Sequence, residues 1–246
     1  MLLVKTMALR VLVSTALLSL FVCPVNAALM SADDPLFGVG AMTVDSSTNL
    51  AWLDLSITEG KSFNEVSSQL GVGGMYSGYR FASPDEVYAL FEAAQIPDIN
   101  HGDPQYSMSV MALSSPANAA PALALIQLMG PTYQIMVAGV TLSEIAGFSS
   151  RHVTVNGYDR IQMPYAVVRE GVITQEGSQS FGEVFTIGSN LYPADSYVGV
   201  GSWLVRPVPE PATITMFFAG LVMLLIVVGY KRAKHLAIPA PQELRS

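Results

Sequence analysis

The sequence predicts an α+β domain built from antiparallel strands and a few helices. Helix signals fall in the first part of the chain, strand-like segments dominate the second half, and no internal repeat is visible. Helices set apart from antiparallel strands are typical of the α+β class. With a targeting segment set aside at each end, residues 28–207 remain, about 180 residues and the size of one ordinary domain.

A β-hairpin is predicted at the start of this domain. Residues 41–45 and 50–54 each have the composition of a strand. The polar run 46–49 between them suits the turn that joins two antiparallel strands.

The first of three predicted helices begins with a capping box. Ser62 and Glu65 stand three residues apart, so the side chain of each can accept a hydrogen bond from the backbone N–H of the other. Gly71 is a stop signal. Apolar residues follow the cap at helical spacing: Phe63, Val66 and Leu70.

The second helix has the strongest local signal in the domain. Ser83 suits the cap, Pro84 suits the first helical position, and Glu86 completes the capping box. Pro97 is expected to end the helix. Its apolar face is formed by residues at i, i+3, i+4 and i+7: Val87, Leu90, Phe91 and Ala94.

A third helix and four strands are predicted in the rest of the domain. The helix spans about residues 119–129, which are rich in Ala and Leu, and ends before Gly130 and Pro131. The strands are predicted at residues 133–141, 165–169, 183–187 and 197–206.

The charge and composition of the domain exclude some classes of partner and favour a folded, packed structure. Residues 28–207 contain 17 acidic and 6 basic residues, a net charge of −11, which repels phosphate backbones and argues against nucleic acid as a partner. Apolar residues make up 51% of the whole chain, enough for a packed core. Cys23 is the only cysteine and lies near the N-terminus.

Residues 1–27 have the pattern of a secretory signal peptide. Lys5 and Arg10 precede the apolar run 11–22, and small residues suit cleavage between Ala27 and Ala28. Cleavage there would leave a mature protein without cysteine, which excludes disulfides, thiolate catalysis and cysteine–metal sites. An uncleaved N-terminal anchor is the alternative.

The C-terminal segment is predicted to anchor the chain in a membrane. The run 212–230 has nineteen uncharged residues, and a helix of that length spans roughly 28 Å, close to the ~30 Å hydrocarbon core. Basic residues that stop translocation follow it: Lys231, Arg232 and Lys234. Residues 235–246 would then form a cytoplasmic tail, with the domain on the periplasmic side.

A Pro-Glu-Pro motif precedes this apolar run, and together they resemble a known sorting signal. Pro209, Glu210 and Pro211, the apolar run and the basic cluster, together residues 208–234, resemble the PEP-CTERM sorting signal of Gram-negative bacteria. That resemblance implies processing near the motif by exosortase, a membrane-embedded peptidase. The extra residues 235–246 depart from the family's pattern, and an ordinary single-span anchor is the alternative.

A second resemblance covers the domain. Residues 48–54, 78–87 and 201–206 are similar to motifs of exported bacterial domains related to the C-type-lectin-like and formylglycine-generating-enzyme folds, with departures at Asn49 and at residues 81–82. It implies a compact α+β domain whose two ends pair. The cysteine-dependent oxidase chemistry of those enzymes does not carry over.

Three motif residues are expected to have structural roles. Trp52 and Trp203, each on a predicted strand and next to a Leu, are expected in the core. Arg80 is expected to pair with a carboxylate, such as that of Asp85 or Asp54, and so to fix the loop.

The sequence contains no recognisable catalytic set. His101 and His152 are the only histidines in residues 28–207, and they lie far apart in the sequence. A zinc site is therefore not expected. Oxygen ligands in residues 98–103 suggest a calcium loop, but Gly102 stands one place early for an EF-hand, and a simple turn is the stronger interpretation. We therefore expect no catalytic residue, metal or cofactor.

The expected function is that of a non-enzymatic exported surface or extracellular-matrix protein. It would be held in the inner membrane, sorted by exosortase, and released to the outer envelope or matrix in an exopolysaccharide or biofilm setting. The alternative is a carbohydrate-binding module of C-type-lectin-like fold, with or without Ca²⁺, whose partner is extracellular polysaccharide.

Overall fold

The computed structural model describes residues 29–97, 109–175, 177–187, 191–208, 217 and 220–225. The chain divides into two units, Met1–Pro207 and Val208–Ser246. All the strands and helices named below belong to the first unit, whose mixed composition confirms the α+β class.

Thirteen strands are found in the described residues. They are β1 (Leu29–Asp34), β2 (Gly38–Asp45), β3 (Leu50–Leu53), β4 (Arg80–Phe81), β5 (Ser109–Ser115), β6 (Tyr133–Val137), β7 (Val140–Phe148), β8 (His152–Val155), β9 (Tyr158–Ile161), β10 (Met163–Thr174), β11 (Gly177–Ile187), β12 (Gly201–Ser202) and β13 (Leu204–Pro207).

The helices of the described domain are short. A 3₁₀ helix spans Leu55–Thr58, and three α-helices follow: α1 (Phe63–Ser68), α2 (Pro84–Ala93) and α3 (Pro116–Met129).

The first sheet joins the two ends of the domain. Its order is β1-β2-β3-β13-β4, with every neighbouring pair antiparallel. Val205 of the last strand lies opposite Trp52, and Leu204 lies opposite Phe81. The predicted hairpin is confirmed, since Asp45 pairs with Leu50. The pairing of the ends that the second resemblance implies is therefore present in the fold.

The second sheet is larger and mostly antiparallel. Its order is β12-β7-β10-β11-β5, with β6 also paired to β7, and only the short β12–β7 contact is parallel. Helix α3 packs on one face, where Ala166, Val168 and Val184 of the sheet share a core cluster with the helix residues Leu125 and Ile126. Strands β8 and β9 form a separate hairpin.

Both predicted capping boxes are confirmed. In α1 the Ser62 Oγ accepts a hydrogen bond from the Glu65 N–H at 3.2 Å, and a Glu65 carboxylate oxygen accepts one from the Ser62 N–H at 2.7 Å. In α2 the corresponding distances between Ser83 and Glu86 are 3.2 and 2.8 Å. Each box satisfies N–H groups that a helix start leaves unpaired.

Helix α3 begins three residues earlier than predicted. Ser115 caps it by accepting a hydrogen bond from the Asn118 N–H, and Pro116 occupies its first position. The prediction started the helix at the Ala- and Leu-rich run and overlooked this Ser-Pro signal, which is the one used correctly at Ser83.

The four strands predicted in the second half are wrong in their extent, and residues 165–169 and 183–187 cover only parts of β10 and β11. Residues 133–141 are not one strand, since β6 and β7 are separated by a turn at Ala138 and Gly139. Residues 197–206 contain only the short strands β12 and β13. The strands β1, β4, β5, β8 and β9 were not predicted.

Both tryptophans lie in the core, as predicted. Trp52 and Trp203 are fully buried, and their rings meet edge to face with centroids 6.0 Å apart. The Trp203 Nε1 donates a hydrogen bond to the Pro164 carbonyl at 2.9 Å. Because Trp203 stands directly before β13, this contact ties the closing strand to the start of β10.

Candidate functional site

The predicted sorting and processing residues lie outside the described residues. They are Ala27, Ala28, Pro209, Glu210, Pro211, Lys231, Arg232 and Lys234. The signal peptide 1–27, the tail 235–246, His101 and the candidate calcium loop 98–103 lie outside them too. The structure does describe the end of the domain, immediately before the Pro-Glu-Pro motif.

The closing strand is held by an ion pair between Asp34 and Arg206 and by a hydrogen bond from Tyr79 to Asp34. We call these three residues the terminal clasp. The side chain of Asp34 is only 2% exposed and lies 3.0 Å from the Arg206 Nη2. Its carboxylate also accepts a hydrogen bond from the Tyr79 hydroxyl at 2.7 Å. The Arg206 guanidinium lies 4.8 Å from the centre of the Tyr79 ring, within range of a cation–π contact.

Charge is well compensated in the terminal clasp. Burial alone would raise the pKa of Asp34, but hydrogen bonds from Tyr79, Leu36 and Phe37, together with the charge of Arg206, lower that pKa overall. Burial and the bond to Asp34 raise the pKa of Tyr79, so its hydroxyl stays protonated as a donor. This set binds the first strand, the β4 region and the last strand to one another.

Part of the predicted membrane segment is described. Phe217 and residues 220–225 are helical, and the apolar side chains from Leu221 to Leu225 are all exposed. Over the residues that the structure describes, no helix is both long enough and apolar enough to span a membrane.

Two tyrosines and one arginine meet beside the β8–β9 hairpin: Tyr158 and the half-buried Arg160 of β9, and Tyr192 of a later loop. We call these three residues the aromatic surface. The Arg160 guanidinium lies 3.3 Å from the centre of the Tyr192 ring and 5.3 Å from that of Tyr158. The two tyrosine rings meet edge to face at 6.3 Å. Tyr158 is 59% exposed and Tyr192 is 38% exposed.

Two distant segments build the aromatic surface. Tyr158 and Arg160 alternate along β9, so both side chains point to the same side of the hairpin. Tyr192 comes from the loop after β11, where the Tyr197 hydroxyl accepts a hydrogen bond from the Tyr192 N–H at 3.1 Å. The sequence reasoning missed this site, although Asn156 and Gly157 form a strong hairpin signal directly before Tyr158.

His152 lies on the opposite side of the same hairpin. Its Nδ1 is 3.0 Å from both carboxylate oxygens of Asp159, and its ring lies edge-on to Phe63 at 5.0 Å. Both members of the pair are about half exposed. Among the described residues, no group of three or more His, Cys, Asp and Glu is arranged to hold a metal ion.

Charged residues also lie on the face of the second sheet away from α3. Val167 pairs with Glu144 on one side and with Glu183 on the other, and Arg169 forms an ion pair with Glu183. Burial raises the pKa of Glu144, and the positive charge of Arg169 offsets part of that rise. Burial and the two glutamates raise the pKa of Tyr165 to about 12. The Arg169–Glu183 pair neutralises part of this face.

Arg80 pairs with a carboxylate, as predicted, but not with either of the two named candidates. Arg80 pairs with neither Asp85 nor Asp54; its two terminal nitrogens donate to the two Glu86 oxygens at 2.6 and 2.8 Å. The capping box explains the difference, because it turns the Glu86 side chain back toward the residues that precede the helix.

The chain matches no family model, no curated protein and no solved structure. A functional proposal must therefore rest on the motifs and on the geometry of this chain itself.

Proposed function

We propose that this chain is a non-enzymatic exported surface or extracellular-matrix protein, sorted through Pro209, Glu210 and Pro211 by exosortase. The observation that carries the proposal is where the domain ends. The closing strand β13 stops at Pro207, so the motif begins two residues after the last residue of the folded sheet. The resemblance to PEP-CTERM proteins gives the processing enzyme and the exopolysaccharide setting.

A cut near the motif would leave the described domain whole. Both core clusters consist of residues at or before Val205, and Arg206 is the last member of the terminal clasp. Processing at residues 209–211 therefore removes no described core contact. A sorting signal of this kind needs a domain that stays folded after its anchor is lost.

The apolar helical residues support the anchoring role. Successive helical residues point about 100° apart, so five exposed apolar side chains from Leu221 to Leu225 cover all sides of the helix. A helix that is apolar all round suits a lipid environment. With Lys231, Arg232 and Lys234 on the cytoplasmic side, the domain would face the periplasm.

The mass of the mature protein tests this proposal. We expect a strain with exosortase to yield a species shortened near residues 209–211, and a strain without it to keep the apolar segment. Glu210→Ala should block the shortening, whereas Pro207→Ala, just ahead of the motif, should be processed normally. An unchanged species of residues 28–246 in both strains would reduce the segment to a plain anchor.

A second candidate function is carbohydrate binding, and the aromatic surface favours it. A sugar ring has an apolar face that stacks on an aromatic ring and hydroxyl groups that need polar partners. Tyr158 offers an exposed ring, whereas Tyr192 has one ring face under the Arg160 guanidinium and its hydroxyl already accepts a hydrogen bond from the Arg160 Nη2. A sugar would therefore stack on Tyr158, beside the polar groups of Arg160 and Tyr192. This surface needs no calcium.

Glycan-array binding of the exported protein, with and without chelator, tests this candidate. If the aromatic surface binds the glycan, Tyr158→Ala removes the signal, chelator does not, and Val72→Ala in a fully exposed loop leaves it intact. Loss of the signal with chelator alone would assign binding to a calcium site instead. No signal on a broad array would dismiss the carbohydrate candidate.

A further inference from the structure

Among the residues that the structure describes, strand β6 is paired along one edge only. It pairs with β7 along all of its five residues, and no other described strand pairs with it. All five of its side chains are exposed, with Ile135 at 40% and Met136 at 72%. An unpaired strand edge is a row of backbone donors and acceptors, and the partner it fits is another extended strand.

The turn decides which backbone groups face this edge. Ala138 and Gly139 both have positive φ, at 49° and 82°, as in the type I′ turn of a two-residue hairpin. The closing bond of that turn joins Val137 and Val140. Because antiparallel pairs alternate, the N–H and C=O groups of Gln134 and Met136 point to the free edge.

The stretch of sequence that contains this edge carries no charge, although Glu144 of β7 lies opposite Tyr133 of β6. No charged residue occurs from Pro104 to Ser143, although residues 28–207 carry a net charge of −11. Natural proteins protect exposed edges with lysine, proline or a bulge, and β6, with the sequence Tyr-Gln-Ile-Met-Val, has none of these. Depletion of charge is also the mark of an interface core.

We propose that β6 pairs antiparallel with β6 of a second copy of this chain, about a two-fold axis at Ile135. In this register Gln134 faces Met136 of the other copy, so the outward backbone groups of both copies bond to each other. Ile135 faces its own equivalent, and Tyr133 faces Val137, an aromatic and β-branched pair of the kind that stabilises sheets. An interface of this kind is isologous, since both copies contribute the same surface.

The acidity of the domain sets the conditions for pairing. Two domains of like charge repel at low ionic strength, and salt screens that repulsion. Association should therefore tighten as salt is added. The inference does not depend on the proposed sorting function, because the β6 edge belongs to the folded domain.

Cysteine cross-linking of the purified full chain in a Cys23→Ser background tests the register. The proposed axis places the two copies of residue 135 at a Cα separation of about 4.5 Å, which is within disulfide range. The two copies of residue 136 are offset along the strands and lie too far apart for a disulfide. We expect oxidised Ile135→Cys to form a disulfide-linked dimer and Met136→Cys to stay largely uncross-linked, although Met136 is the more exposed residue. Equal or greater cross-linking of Met136→Cys would show random collision and overturn the proposal.

Sedimentation of the full chain provides an independent measurement. The unmodified chain should show a monomer–dimer equilibrium that shifts toward dimer with added salt. Ile135→Lys should abolish the dimer, while Val72→Lys, in a fully exposed loop, should not. A monomer at all concentrations and salt levels, or a dimer that Ile135→Lys leaves intact, would refute the pairing.

Discussion

At the scale of single residues, Asp34 and Asp54 show how surroundings decide the behaviour of a buried carboxylate. Asp34 accepts hydrogen bonds from Tyr79 and from two backbone N–H groups and contacts Arg206, so its pKa is lowered despite burial. Asp54 has a buried Oδ1 without a hydrogen-bond partner among the described residues, and burial raises its pKa to about 6. The first carboxylate stabilises the fold as an anion, and the second destabilises it.

Removing the cation of the terminal clasp should cost far more than removing a surface cation. Arg206→Gln leaves the Asp34 carboxylate buried without its charge partner, and we expect a loss of about 2–4 kcal/mol in the free energy of unfolding. Arg80→Gln is the matched control: the side chain of Arg80 is 52% exposed, so even its bidentate ion pair with Glu86 should contribute only about 1 kcal/mol. Chemical denaturation followed by fluorescence of the two buried tryptophans measures both, and equal losses would contradict this account of the clasp.

Asp54→Asn should stabilise the protein, and the gain should depend on pH. The pKa of Asp54 is raised from 3.8 to about 6 in the fold, so the native state loses stability as pH rises through that interval. The variant avoids this loss. From the shift in pKa, the gain in the free energy of unfolding should be on the order of 1–3 kcal/mol above pH 6 and zero below pH 4. Melting temperatures at pH 4 and pH 7.5 test it. The exposed Asp85→Asn should lack the gain, and a gain of equal size at both pH values would argue against charge burial as its cause.

At the scale of elements, local signals predicted what local chemistry determines. The capping boxes at Ser62 and Ser83 could be predicted because each consists of a serine and a glutamate three residues apart and needs no distant partner. The turn at Ala138 and Gly139 was missed because Ala is not a typical turn residue there, and the apolar residues on both sides read as one strand. An ion pair of Arg80 was predicted, but Glu86 was overlooked as its partner because its carboxylate was assigned to the cap alone, whereas it serves both the cap and the guanidinium.

Loss of the cap of α2 should be measurable in isolation. In Ser83→Ala the Glu86 N–H loses its acceptor, and we expect a loss of about 1 kcal/mol in the free energy of unfolding. Ser67→Ala in α1 is the control, because Ser67 is exposed within the helix and alanine has the better helix propensity. If thermal unfolding shows Ser83→Ala to be as harmless as Ser67→Ala, the box does not hold the start of the helix.

At the scale of the whole molecule, the arrangement depends on contacts that no local pattern encodes. Strand β13 lies between β3 and β4, more than a hundred residues away along the chain. Only the resemblance of residues 48–54 and 201–206 to exported domains implied that pairing. The aromatic surface, in contrast, joins β9 to the loop at Tyr192, and neither segment by itself indicates the other. The fold class was therefore predictable, and this candidate site was not.

The position of β13 predicts a sharp boundary for truncation. A chain ending at Val208 keeps β13 and the terminal clasp, so its domain should melt within a few degrees of the full chain. A chain ending at Ser202 loses Trp203, Leu204 and Val205, all fully buried. Losing the Trp203 side chain alone should cost about 3–5 kcal/mol, against a net stability of about 5–15 kcal/mol for a typical domain.

We therefore expect the chain ending at Ser202 to unfold, as measured by loss of the cooperative melting transition and by rapid proteolysis. Cooperative melting of that chain would mean that the two ends need not pair for folding. A large drop in melting temperature for the chain ending at Val208 would mean that the C-terminal unit stabilises the domain. In that case, processing at Pro209, Glu210 and Pro211 would weaken the domain it releases, and the sorting proposal would lose its structural support.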